Sequence, residues 1–299
     1  RHVSLQVQPG EIVGVAGESG CGKSTLISAL LHLLPANATV TGGSIRFGGE
    51  EMVGATPARL RAMRGQDIAV VFQDPMTALN PVLTIGRQMR DIQYRVPISR
   101  AEKDRRSAAM LGRVGLPDPE AKLRSYQHEL SGGMRQRVAI AMAALMKPRL
   151  LIADEPTTAL DATLEVQIIE LLRELQQEIG CAILFVTHHL AVIAELCDKV
   201  VIMYAGQSVE EGPVGQVFAT PAHPYTAKLI ECDPGHLRHR LPVLPSIPGT
   251  LPSLIDPLAG CIFRPRCDRA DARCETLPSR ANVGTDHAAL CHYPGRSQP

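Results

Sequence analysis

Val3, Leu5 and Val7 alternate with polar neighbours, which predicts a strand already under way at the first residue. Glu11–Gly17 is a short apolar run that ends in a glycine-rich turn. Lys23–Leu34 then reads as a helix closed by Pro35. Ser44–Phe47 and Ile68–Phe72 are further strand candidates. From about Leu79 to Lys147 the pattern turns helical, with amphipathic, Arg/Lys-rich stretches over Ala101–Val114 and Met134–Met146. Leu150–Ala153 has the continuous apolar character of a buried strand, and Leu164–Ile179 is a helix with Leu164, Ile168, Leu171, Leu172 and Leu175 on one stripe. Cys181–Thr187 and Lys199–Tyr204 are apolar strands with a helix near Leu190–Cys197 between them. Strands alternating with helices predict an α/β fold with a largely parallel sheet.

The pattern fades after about Glu231. Residues 232–299 hold ten of the 23 prolines and five of the eight cysteines, with no sustained helix or strand period. The predicted organisation is therefore a domain over 1–231, carrying a helical subdomain at about 79–147, and a loop-rich extension over 232–299. No internal repeat indicates two fused copies of the core. At 299 residues and 45% hydrophobic, the chain can bury a large core.

Charge narrows the function. With 31 Lys+Arg against 30 Asp+Glu, the chain lacks the basic excess that a general nucleic-acid binder needs. Aromatic residues make up 3%, too few for stacking platforms on single strands. No apolar run reaches the roughly 18–20 residues of a membrane-spanning helix, and the N-terminus has no signal-peptide core.

Gly17, Glu18, Ser19, Gly20, Cys21, Gly22, Lys23 and Ser24, followed by Thr25, fit G-x-x-x-x-G-K-[ST] between an apolar strand and a helix. Glycines let the backbone wrap so that amide N–H groups face phosphate oxygens, and the helix adds its positive dipole end. Lys23 would meet the β- and γ-phosphates and the Ser24 hydroxyl would reach Mg²⁺. Asp154 and Glu155 end the Leu150–Ala153 strand, where a parallel sheet presents its crevice. Asp154 would hold Mg²⁺, directly or through water, and Glu155 would activate the attacking water as general base. Leu130–Gln136 contains Ser131, Gly132 and Gly133 leading into a helix, a second phosphate-binding candidate. Two such loops suit one nucleotide only if the second serves a neighbouring subunit.

This set resembles the ATP-binding-cassette ATPases, from about Val3 to Tyr293. The resemblance implies a P-loop NTPase core that binds ATP with Mg²⁺. Gln73 matches the family's glutamine loop, which touches Mg²⁺ and the attacking water. Ser131–Gly133 match the signature. Ala159, Leu160 and Asp161 match the loop that crosses to the partner. His188 matches the switch histidine that senses the γ-phosphate. Taken alone, Gln73 reads as a loop glutamine, His188 as a satisfied strand-end histidine and Asp161 as a helix N-cap. Their joint order and spacing carry the functional assignment. His189 stands where family members often have an acidic residue. The adenine-stacking aromatic of the family falls before Arg1, so N-terminal sequence is expected to be missing.

Three stretches narrow the resemblance to oligopeptide and dipeptide importers, with nickel importers close by: Phe72–Pro81, the hairpin Met203–Gly212, and His223–Thr226 followed by Leu244–Pro252. It implies a subunit held at the cytoplasmic face of the cell membrane. A second, related ATPase subunit would form a heterodimer with it. Two transmembrane permease subunits would dock on the 79–147 subdomain, with an extracytoplasmic substrate-binding protein reached indirectly and no nucleic-acid partner. Soluble relatives that act on nucleic acid or ribosomes carry two cassettes or a long coiled-coil insertion, and neither is present here.

Cys261, Cys267, Cys274 and Cys291 lack the short C-x₂-C spacing of common zinc and ferredoxin sites. Spacing alone leaves metal ligands, free thiols and disulfides open. The segment resembles one in the peptide-importer ATPases where some relatives hold a 4Fe–4S cluster. The resemblance therefore implies these four cysteines as cluster ligands.

Overall fold

The computed structural model describes residues 2–158, 160–233, 244–255 and 259–295. The chain forms two compact units. The first comprises residues 1–7, 11–26 and 185–299, and the second residues 8–10 and 27–184.

In the first unit, β1 (Ile12–Ala16) is buried at all five positions. It pairs in parallel with β7 (Lys199–Tyr204), with Val15 opposite Val201. Gly14 allows this strand to be covered closely: a Cβ there would lie 2.9 Å from Ile193 of helix α9 (Leu190–Leu196). Strand β8 (Gln207–Pro213) returns antiparallel to β7. The composition-shifted extension contributes 3₁₀ turns at Arg264–Arg266 and Ala272–Glu275 and a strand pair among its loops. Strand β10 (His287–Leu290) pairs antiparallel with β8, and β9 (Arg280–Gly284) forms the outer edge on β10. Helices α10 (Val214–Ala219) and α11 (Pro224–Glu231) follow β8.

In the second unit, β4 (Ile68–Val71) pairs in parallel with β5 (Leu150–Asp154). Strand β6 (Ala182–Val186) follows in the order β4-β5-β6; it begins in this unit and ends in the first. The hairpin β2 (Arg46–Phe47) and β3 (Glu50–Glu51) forms a separate two-stranded sheet. The expected helix at 23–34 is α1 (Lys23–Leu30), shorter because His32 adopts a positive φ of 51°. Helices α2 (Pro57–Met63) and α3 (Pro75–Ala78) precede the helical stretch expected at about 79–147, which α4 (Ile85–Ile92), α5 (Arg100–Arg113), α6 (Pro119–Lys122) and α7 (Gly132–Ala144) supply. Helix α8 (Ala162–Ile179) buries Ile168, Ile169, Leu171, Leu172 and Leu175, one face at helical spacing. It starts at the Asp161 cap and stops at Gly180, whose φ of 72° suits a residue without a Cβ.

One expected strand differs. Val3, Leu5 and Val7 are half-buried on alternate positions, but no strand is assigned among described residues 2–7. The segment is tied to Ser208, which donates its N–H to the His2 carbonyl and accepts the Ser4 N–H on its hydroxyl. Side-chain bonds there take the place of a regular ladder. Among the described residues, no helix is long and apolar enough to cross a membrane.

Candidate functional site

The first unit builds the phosphate-type loop. Strand β1 ends at Ala16 and the backbone turns at Gly17, with φ of 153°. A Cβ on Gly17 would lie 2.1 Å from the Met203 carbonyl oxygen and 2.8 Å from the Cys21 sulfur, so only glycine fits. Gly20 and Gly22 take φ values of 82° and 106°. The Cys21 N–H donates to the Glu18 carbonyl at 3.1 Å, and the Gly206 N–H donates to the Cys21 carbonyl at 2.8 Å. Burial pushes the Cys21 thiol up, which keeps it protonated inside the loop. Lys23, 6% exposed, folds back over the loop and donates from Nζ to the carbonyls of Gly17 (2.8 Å) and Glu18 (3.3 Å). Ser24 and Thr25 are exposed in the first turn of α1, as are Ser19 and Gly20 in the loop itself.

The same unit carries the strand-end histidines. Thr187 is buried and accepts the His189 N–H on Oγ1 at 3.1 Å. His188 and His189 are both exposed, with rings edge to face at 4.3 Å. His189 takes the N-cap position of α9, which leaves His188 as the residue directly following the strand-end turn.

The second unit brings three sequence-predicted residues together. Asp154 is the last residue of β5 and is half-buried. Glu155 follows with a φ of 45°, an uncommon conformation for a residue with a side chain. One oxygen of its carboxylate, Oε2, accepts from Gln73 Nε2 at 3.0 Å and from Thr158 Oγ1 at 3.1 Å. Gln73 itself is exposed after β4. Ser131 is exposed and caps α7, accepting the Met134 N–H on Oγ at 3.3 Å. Gly132 opens the helix and is exposed; Gly133 is buried, where a Cβ would lie 3.0 Å from Leu164. Asp161 is exposed and caps α8 by accepting the Leu164 N–H at 2.9 Å. Ala159 lies outside the described residues.

Sequence reasoning missed the residues that hold Glu18. Its N–H donates to the Tyr225 hydroxyl at 2.9 Å, and its carboxylate is paired with Arg266 at 2.8 and 3.1 Å. Tyr225 and Arg266 stood inside stretches already singled out, but nothing in their spacing points to the loop. Cys261, Cys267, Cys274 and Cys291 line one cavity, together with Phe263 and Tyr293. All four are free thiols. Burial pushes Cys261 and Cys267 up and Cys291 to about 11. Among the described residues, no group of three or more His, Cys, Asp or Glu side chains stands in metal-ligating arrangement.

Residues 1–158 match the family model of the ABC transporter. The chain belongs to the ABC transporter ATP-binding family. It is an ATP-hydrolysing ABC transporter ATPase that takes ATP with Mg²⁺. Half-buried Asp154, at the end of β5, is an oxygen donor of the kind that suits that hard cation. Residues 209–274 match the oligopeptide/dipeptide transporter C-terminal region. The chain is 47% identical to a probable peptide ABC transporter ATP-binding protein of Sinorhizobium fredii, over 97% of this chain and 87% of that one. It is 45% identical to a probable D,D-dipeptide transport ATP-binding protein of Escherichia coli, over 98% and 90%. It is 42% identical to a dipeptide transport ATP-binding protein of the same organism, over 98% and 90%. Among solved structures, the cassette resembles a dimeric post-hydrolysis ATP-binding cassette bound to ADP and phosphate. That match has a TM-score of 0.63 and 29% identity, covering 71% of this chain and 89% of the other.

Proposed function

We propose that this ATPase energises an importer of di- and oligopeptides. The observation that carries the reading is the extension: residues 209–274 match the C-terminal region of oligopeptide/dipeptide transporters, and the peptide-transport relatives align across nearly the whole chain.

In this reading Gly17–Thr25 cradle the phosphates through backbone N–H groups, and Lys23 leaves its carbonyl partners to meet them. Ser24, Gln73 and Asp154 would hold Mg²⁺, which would supply positive charge against the phosphates. Glu155, oriented by Gln73 and Thr158, takes a proton from the attacking water. His188 senses the γ-phosphate. Ser131, Gly132 and Gly133 serve the nucleotide of a second, related ATPase subunit, and Asp161 faces that partner. ATP favours the closed pair by binding it better than the open one.

The chain sits peripherally at the cytoplasmic face of the membrane, on two permease subunits. An apolar groove in the second unit, lined by Leu33, Phe72, Leu79, Ile92 and Met146, supports docking of apolar helix ends there. Phe72 and Met76 are exposed large apolar side chains. An extracytoplasmic binding protein delivers the substrate indirectly.

The finer reading of the extension is a 4Fe–4S cluster on Cys261, Cys267, Cys274 and Cys291, supported by the cavity the four thiols share. Anaerobic purification should give brown protein with about four irons and four sulfides; a colourless, iron-free protein ends that reading. For the transport function, the assembled transporter in vesicles should take up labelled dipeptide when ATP is supplied. Uptake of nickel with no dipeptide uptake would reassign the substrate.

A further inference from the structure

The extension reaches the phosphate loop through one side chain. Arg266 ends the 3₁₀ turn Arg264–Arg266, one residue before Cys267, and its side chain is 4% exposed. Its guanidinium makes five donor contacts. Two go to the Glu18 carboxylate, at 2.8 and 3.1 Å. Two go to backbone carbonyls of the proline-rich segment, Pro248 at 2.7 Å and Ile247 at 3.1 Å. The fifth goes to the Tyr204 hydroxyl at 3.4 Å. A guanidinium has five N–H donors in a fixed fork, so this one is fully used.

The surroundings fix the fork in place. The rings of Tyr204, Tyr225 and Phe263 pack at 4.6, 5.1 and 5.4 Å between centroids. Tyr225 also accepts the Glu18 N–H. Leu251 stands 3.7 Å from where a Cβ on Gly20 would be. Glu18 is therefore gripped at both its backbone and its side chain, and every gripping group lies outside the loop.

Glu18 is a carboxylate in a loop that receives a polyanion. Left unpaired and free to turn, it would repel the phosphates and let the loop's amides drift. We propose that Arg266 is a positioning residue for ATP binding: it neutralises Glu18 and fixes the phosphate loop from the C-terminal extension. The extension thereby acts on nucleotide affinity without touching the nucleotide.

The test measures the affinity of the purified full chain for a non-hydrolysable ATP analogue with Mg²⁺, and KM and kcat of the assembled transporter. Arg266→Met should weaken affinity about tenfold, the scale of one charge-assisted contact. It should raise KM for ATP and leave kcat within about twofold. Glu18→Gln, which keeps shape and removes the charge, should weaken affinity by less than Arg266→Met does. The double variant Glu18→Gln/Arg266→Met should bind better than Arg266→Met alone, because no unpaired carboxylate remains. A structural role for Arg266 alone gives no such rescue. A loss of about tenfold or more in Glu18→Gln, or additive losses in the double variant, overturns the proposal even if Arg266→Met fails to fold. The inference rests on Gly17–Thr25 being the nucleotide's loop, so Lys23→Ala is the control. Binding retained in Lys23→Ala refutes the loop assignment; binding lost there with Arg266→Met unaffected refutes only the clamp.

Discussion

Glu155 holds its side chain with two hydrogen bonds on one oxygen, and its backbone sits at a φ of 45°. A conformation that costs of order 1–3 kcal/mol is kept where the surroundings enforce it, commonly at reacting groups. Glu155→Gln preserves shape and loses the base. It should bind ATP with near-normal affinity and hydrolyse it at least about 100-fold more slowly; phosphate release in the assembled transporter reads this, and normal turnover would remove Glu155 from the role of base. His223 is a different case. It is 1% exposed, its Nδ1 accepts the Tyr225 N–H at 3.0 Å, and burial holds its pKa at about 3. An unfolded histidine titrates near 6.5, so the unfolded chain binds the extra proton first as pH falls. Stability from this group is complete above about 6.5 and drains away toward pH 3, by roughly 2 kcal/mol at pH 5. Urea unfolding at pH 7.5 and 5 should show that loss in the wild type and a smaller one in His223→Asn, which can still cap α11. Equal losses in both would contradict it. At this scale the sequence was informative where chemistry forces a local pattern. Gly17 can only be glycine beside the Met203 carbonyl, and that constraint is written into the loop motif. Arg266 reaches Glu18 from 248 positions away, and no local pattern records such a partner.

Among the elements, long periodic ones were legible. The strand expected at Lys199–Tyr204 matches β7 end for end, and the Leu164–Ile179 helix extends by two residues to its Asp161 cap. The short ones were not. Strands β9 and β10 are five and four residues, with Ala, Asn and Gly where strong strand formers would stand. Their pairing depends on the edge of β8, which is tertiary information. The helix caps show why local geometry alone does not assign function. Ser131 and Asp161 each make an ordinary N-cap bond, which explains both residues without any partner subunit. The two explanations separate by magnitude. Ser131→Ala removes one cap and should cost about 1 kcal/mol of stability, seen as a modest shift of the urea midpoint. If Ser131 also contacts a nucleotide across a dimer, ATPase activity of the assembled transporter should fall at least about tenfold at a temperature where the variant is fully folded. A stability loss with unimpaired turnover would leave Ser131 as a cap and nothing more.

At the scale of the whole chain, the proline- and cysteine-rich extension is bound into the first unit. Strand β10 covers the edge of β8, with Ala289 opposite Glu210. Glu210 is 0% exposed; it accepts the N–H groups of Ala222 and His223 and contacts His287 Nε2 at 2.8 Å. Arg280 pairs with Glu211 at 2.8 Å, and Phe263 is fully buried on Tyr204 and Tyr225. A chain ending at Glu231 would keep every predicted ATP-site residue and the two N–H groups on Glu210, and lose β10, His287, Arg280 and Phe263. It would expose a strand edge, a ready template for aggregation, and leave the Glu210 carboxylate short of its His287 partner. Taking a hydrogen-bond partner from a buried carboxylate costs about 3 kcal/mol. For a unit of this size that lowers the melting temperature by about 10 °C. Thermal unfolding and size-exclusion chromatography of the truncated chain should show that drop or outright aggregation. If it melted within about 2 °C of the full chain and stayed monomeric, the extension would be dispensable to the fold. The clamp of Arg266 on Glu18 would then have to act on ATP affinity through local geometry alone, a distinction that point variants in the full chain can draw.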